Sequence, residues 1–95
     1  MEKALVMDNK DNVATALDEL QAGDVFSMPI GQDRFEVTMK EAVSFGHKFA
    51  LRNIDKGNNV IKYGEVIGRA TAAIEQGCHV HIHNIESLRG RGDLK

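Results

Sequence analysis

The sequence predicts a mostly β fold, a small single domain of short bent strands with little helix, and three observations predict it. Nine Gly stand against one Pro, so chain reversals are many and rigid kinks few. Four of the glycines recur in one local pattern: an apolar residue, two spacers, Gly, then an apolar residue two or three places on. The copies are Leu20-Gln-Ala-Gly23-Asp-Val25, Val43-Ser-Phe-Gly46-His-Lys-Phe49, Ile54-Asp-Lys-Gly57-Asn-Asn-Val60 and Ile74-Glu-Gln-Gly77-Cys-His-Val80. Gly reaches the positive φ of tight reversals, so each copy predicts a turn feeding a strand. Between the turns the hydrophobic period is two, the period of a half-buried strand.

Taken in order, Met1 to Val6 predicts a first strand. The stretch from Asp11 to Leu20 stays ambiguous on local pattern. Asp11 or Asn12 could cap a helix through Ala16, Leu17 and Leu20, whereas Val13, Thr15 and Leu17 would make one face of a strand. Phe35, Val37 and Met39 alternate with Glu36, Thr38 and Lys40 as a strand, with a short helix over 38–45 as its competitor. Val60 to Gly64 and Glu65 to Gly68 are two β-prone pieces whose glycines suggest a bend or bulge. Val80 and Ile82 alternate with His79, His81 and His83, which predicts a strand with two core residues and three imidazoles on the opposite face. The four Gly motifs lie 23, 11 and 20 residues apart, so they are reused turn chemistry and not a fixed-period solenoid. The segment 87–95 is polar and glycine-bearing, a tail expected to be flexible.

Composition narrows the function. A chain of 95 residues holds one modest core and little scaffold for an enclosed cleft, so chemistry here calls for a partner or an oligomer. Twelve basic against fourteen acidic residues give a formal charge of −2, with no bulk field for nucleic acid or membrane. One Cys rules out an internal disulfide framework and fits a reducing, cytoplasmic setting. No apolar run approaches the ~18 residues of a membrane helix. Arg91-Gly92-Asp93 matches an adhesion tripeptide that lacks its extracellular context.

The residues with chemistry are few. His79, His81 and His83 offer three of the four imidazoles of the chain within five residues, suited to a transition metal or a substrate. Neighbours at i and i+2 lie ~6.5 Å apart along a strand, so two of the three suit one metal. Gly46-His47-Lys48 places a titratable ring and a cation just after a turn, where they could meet a carboxylate. Lys62 and Tyr63 add donors beside Gly64, although no phosphate-loop spacing is present. Cys78 has no readable general base and predicts a half-buried small residue.

Joined together, these pieces resemble one family. Asp11-Asn12-Val13-Ala14, Gly46-His47-Lys48-Phe49-Ala50-Leu51, Ile54-x-x-Gly57-x-x-Val60-Ile61-Lys62-Tyr63-Gly64, Ile67-Gly68-x-Ala70 and Ile74-x-x-Gly77-x-His79-Val80-His81-x-His83-Asn84 are similar, in order, to the amino-terminal SAF domain of the altronate/galactarate dehydratase family. The resemblance spans residues 3 to 86; residues 25–34 match nothing diagnostic. It implies a β-clip over 1–86, which would make Asn12–Leu17 a strand. It also implies a small subunit of a metal-dependent hydro-lyase, inactive alone, that completes the site of a separate large catalytic dehydratase subunit acting on a sugar acid. The related sulfolactate sulfo-lyase alpha subunit implies a sulfo-lyase as the neighbouring option. SAF modules that only bind carbohydrate acids or assemble partners supply the non-catalytic one. The implied cofactor is a divalent metal, Fe(II) or else Mn(II), shared with the large subunit. On this resemblance His81 and His83 become metal ligands or, with His47, acid/base groups. Lys48, Lys62 and Tyr63 bind the substrate carboxylate, Asn84 orients substrate or ligand, and 87–95 docks on the partner. A homo-oligomer remains open.

Overall fold

The structure, a computed structural model, describes residues 2–88. Its elements are nine strands: β1 (Ala4–Leu5), β2 (Val13–Ala16), β3 (Val25–Ile30), β4 (Asp33–Thr38), β5 (Lys48–Ala50), β6 (Asn59–Lys62), β7 (Glu65–Ala70), β8 (His79–Val80) and β9 (Ile85–Ser87). They form a sheet in the order β1-β2-β5-β8, a β3-β4 hairpin and a β6-β7-β9 sheet, with antiparallel pairing throughout. The expected mostly β class is what forms, and the ambiguous Asn12–Leu17 stretch is strand β2. The expected tail lies outside the described residues from 89 onward. Ser87, placed at its head, pairs with Gly68. Among the described residues no helix is long and apolar enough to cross a membrane.

The Gly motifs organise the chain. In each, the residue after Gly donates its N–H to the carbonyl two residues before it: Asp24 to Gln21, His47 to Ser44, Asn58 to Asp55 and Cys78 to Glu75, at 2.9–3.1 Å. The four glycines have φ between 85° and 93°. The apolar residue that opens each motif bridges the one opening another, Leu20 to Val43 and Ile54 to Ile74. The motifs therefore act two by two, each pair enclosing one hairpin, and that pairing is why no single period runs through the sequence. The alternative helix over 38–45 does not form, because Val43 is drawn into its bridge and Lys40 donates to the Gly77 carbonyl.

Alternation along the central strands serves two cores. Ala14, Ala16 and Phe49 pack with Met28, Val37 and Met39 on one face. Val13, Ala50 and Val80 pack with Val60, Ala70 and Ile74 on the other. The shared sheet is thus apolar on both sides, and each hairpin covers one of them. At the β6-β7 turn, Tyr63 and Gly64 both take positive φ, 60° and 71°, the backbone of a two-residue hairpin loop. Tyr63 is held there by Asp11, a buried carboxylate. Asp11 accepts the N–H groups of Met7, Asp8, Tyr63 and Gly64 at 2.8–3.2 Å. The bend expected in this hairpin is a register shift between Val60 and Ile61.

One expectation is overturned. Strand β8 ends at Val80, and residues 81–84 are a turn. Ile82 does not face the core; it is 83% exposed. Asn84 is the reason. Its side chain donates to the His79 carbonyl at 2.8 Å and accepts from the His81 N–H at 3.0 Å, closing the chain back on itself.

Candidate metal centre

The turn gathers the imidazoles more tightly than a strand would. Register pairs Lys48 with Val80 and Phe49 with His79, so His79 stands on the Phe49 face, at the open end of that core. His47 precedes β5 in the second Gly turn, and its ring stacks on His79 (centroids 5.2 Å) and His81 (5.0 Å). His79 stacks on His81 at 5.3 Å and lies tilted against His83 at 5.5 Å. All four histidines of the chain meet at one place.

Three of them offer nitrogens in a ligand-sized group. One ring nitrogen each from His47, His79 and His81 lies within 4.8 Å of the others, and His47 Nδ1 is 3.0 Å from His79 Nε2. Two imidazole nitrogens bound about 2.1 Å from one ion sit roughly 3.0–3.4 Å apart, so the closest pair already has chelating separation. Three neutral nitrogen donors suit Fe, Zn, Ni or Cu better than Mg or Ca. The donor set fits a divalent transition metal. Burial holds His79 below the usual histidine range, and the neighbouring His47, His81 and His83 rings push the same way, with Glu41 opposing. A neutral imidazole is the form that ligates.

The other expected site residues fall into place around this trio or away from it. His83 lies outside the trio and lines an open depression with Glu41, Glu75, Cys78 and Asn84. Asn84 is buried, with both polar side-chain atoms engaged in the turn, so it positions His81 instead of offering a free amide. Lys48 shares the face of Val80, opposite His79, and is half-buried. Lys62 sits with its ammonium 4.8 Å over the Tyr63 ring, and Tyr63 is 53% exposed, not the half-core residue its pattern suggested. The histidines and the Lys48–Lys62–Tyr63 group are therefore two clusters. Cys78 is half-buried, and burial together with Glu41 pushes its thiol up, which suits a packing role.

Residue reasoning left two contributors aside. His79 is the middle of the imidazole stack, a role hidden because the period-two pattern treated 79, 81 and 83 alike. Glu41 accepts the His79 N–H at 2.8 Å across a span of 38 residues, which no local signal marks.

The fold and the site together define a small all-β accessory module that presents a histidine cluster at a sheet edge. The sequence matches the altronate/galactarate dehydratase SAF domain over residues 2–88, and the chain belongs to that family. It is 53% identical over 74 residues to altronate dehydratase of Escherichia coli (strain K12), covering 78% of this chain and 14% of that protein. It is 38% identical over 88 residues to (2R)-sulfolactate sulfo-lyase subunit alpha of Chromohalobacter salexigens, covering 90% of this chain and 94% of that subunit. Altronate dehydratase of Bacillus subtilis (strain 168) is 31% identical over 87 residues, 17% of its length. The chain thus spans about one sixth of the dehydratases it matches and nearly all of the sulfo-lyase subunit.

Proposed function

We propose that this chain is the small subunit of a hydro-lyase that dehydrates a sugar acid of the altronate/galactarate type, completing the active site of a separate large catalytic subunit. The observation that carries the reading is the His47–His79–His81 trio on a SAF fold. Its relatives are named as a dehydratase and as a subunit of a sulfo-lyase. Both names describe β-elimination from an acid.

Such an elimination removes the proton α to a carboxylate, stabilises the resulting enediolate and protonates the departing hydroxyl. In this reading His47, His79 and His81 hold a divalent metal, Fe(II) or Mn(II), shared with the large subunit. When bound, that ion supplies electrostatic stabilisation of negative charge on the substrate oxygens. The sequence-based pair His81 and His83 is thereby revised. His81 stays with the metal, and His83, exposed at the rim of the depression, is the group placed to give a proton to the leaving oxygen. Asn84 fixes the turn that carries both. Lys48, Lys62 and Tyr63 bind the acid group of the substrate. The main base belongs to the large subunit, which also encloses the open imidazole edge and excludes water from it.

The test is reconstitution with the large subunit, assaying dehydration of altronate and galactarate. Activity should require both chains, and full activity of the large subunit alone would sink the proposal. The coverage of the sulfo-lyase subunit favours a second reading, in which sulfite leaves instead of water. Sulfite release from sulfolactate by the same complex, without dehydration of either sugar acid, selects it. Sugar-acid binding with no turnover in any complex selects the non-catalytic module.

A further inference from the structure

The second cluster stands away from the imidazoles and has its own unanswered chemistry. Thr15 on β2 lies directly opposite Lys48 on β5, so the two side chains share one face of the central sheet. Residues so paired have Cβ atoms about 4.5–5.5 Å apart. The Thr15 hydroxyl is buried and has no hydrogen-bond partner. Such a group is normally satisfied, so an orphan marks a place where a partner belongs. Lys48 beside it is half-buried, and neither Lys48 nor Lys62 is in an ion pair among the described residues, whereas Lys3, Arg34, Lys40 and Arg69 all are. Glu65 faces Lys62 across the hairpin without bridging it.

Electrostatics links the two lysines. Burial and then the Lys62 charge both act on the Lys48 amine, with Tyr63 opposing them. Two ammonium groups near each other, one partly desolvated, without a carboxylate between them, form a field that an anion relieves. The depression beside His83 has the opposite character, since Glu41 and Glu75 line it. A negatively charged ligand is repelled there and attracted here.

We infer that Thr15, Lys48 and Lys62, with the Tyr63 turn as a wall, form an oxyanion-binding subsite on the Val80 face of the central sheet, separate from the imidazole centre. Its ligand is a carboxylate or sulfonate group, held by the Thr15 hydroxyl and the two ammonium ions. The subsite deepens the lyase reading by assigning the acid group of the substrate to this face and adding Thr15, but its existence does not depend on turnover.

The experiment is a titration of the ¹⁵N-labelled full chain, freed of metal by chelating resin, with tartrate in one arm and methanesulfonate in another. Saturable shifts centred on Thr15, Lys48, Lys62 and Tyr63 are expected. Tartrate alone assigns a carboxylate site, methanesulfonate alone a sulfonate site, and both a general oxyanion site. Lys48→Met should weaken the response about tenfold, the loss of one charge-assisted contact. Thr15→Val should weaken it and Thr15→Ser restore it. Lys62→Met substitutes for Lys48→Met if the latter loses its dispersed spectrum. No saturable shift in either arm, an unaltered response in a folded lysine variant, or shifts centred on His79–Asn84 would overturn the subsite. Co(II) binding to the same samples reports the imidazole centre independently. Its absence beside an intact tartrate response sinks the metal reading alone, and the reverse sinks the subsite alone.

Discussion

His47 Nδ1 and His79 Nε2 stand 3.0 Å apart although 32 residues separate them, joined by a Gly turn on one side and a two-residue strand on the other. Neither side chain could be held there by its own segment. The Phe49–His79 pairing sets the height of one ring, and the Gly46 reversal sets the other.

That closeness predicts metal binding by this chain without its partner. Co(II) or Fe(II) should bind with one-to-one stoichiometry and shift the imidazole resonances of His47, His79 and His81. Substituting even an outer-shell partner of a metal site typically costs about 10–100-fold in affinity, so His47→Ala or His79→Ala should cost at least that much. Ile82→Ala, in the same turn but with no donor atom, should leave metal affinity unchanged in absorption titrations.

Asn84→Ala should weaken the same affinity by about tenfold, because the His79–His81 turn loses both of its side-chain closures. Asn84→Asp keeps the acceptor for the His81 N–H and loses the donor to the His79 carbonyl, so its effect should be intermediate. If Asn84→Ala binds Co(II) as the parent does, the turn is held by other means.

The pH response of the metal-free chain follows from His79. Its folded value lies below the ordinary 6.5, so the unfolded chain takes up this proton first as pH falls. Above that value both states are neutral here and His79 has no effect. Below it the unfolded state binds more protons, and stability declines until the folded-state value is passed. Tm measured from pH 8 to pH 5 should fall below about 6.5, and His79→Asn should flatten that part of the slope. Partial exposure of the ring keeps the change small.

Gly77 and Gly23 form a matched pair for backbone strain. Both have positive φ, 85° and 93°. A Cβ at Gly23 meets nothing within 4 Å, whereas one at Gly77 overlaps the Thr38 carbonyl oxygen and crowds Lys40 N at 3.0 Å. Gly23→Ala should cost about 1 kcal/mol from φ alone. Gly77→Ala should cost roughly 3 kcal/mol, since backbone must also move. Urea unfolding of both variants checks the difference; equal losses would mean the Thr38 contact yields freely.

Asp11→Ala removes the acceptor for four backbone N–H groups and should destabilise by about 3 kcal/mol. The loss should be concentrated in the Tyr63–Gly64 turn. Hydrogen exchange at those two amides is the direct measurement.

Much of this fold was legible in the sequence because its devices are local. The Gly spacing marks the four reversals, and Phe35, Val37 and Met39 mark a strand by alternation alone. What was not legible is long-range. Nothing near Leu20 tells that it bridges Val43, and nothing near Asp11 tells that it cages a turn 52 residues on instead of capping a helix. The histidine segment misled in an instructive way: Val80 and Ile82 alternate as strand residues do, yet Asn84 closes the chain after Val80 and leaves Ile82 in solvent. The imidazoles still gather, through His47 and His79, by stacking instead of by a shared strand face. Thr15 gave no signal at all, since a buried unpartnered hydroxyl exists only in three dimensions.

The pairing of motifs two by two also bears on how the chain reaches its native state. The central sheet is completed only when β8, near the end of the described residues, docks on β5, and the Gly77 carbonyl then receives Lys40 and Glu41 from the earlier hairpin limb. A fragment ending near residue 52 would retain the first limb but neither of these closures, and the remainder would have no wall to fold against. Folding should therefore be one late, all-or-none event governed by distant pairings, slow for a chain of this length. A ribosome must release nearly the whole module before any of its imidazoles can meet.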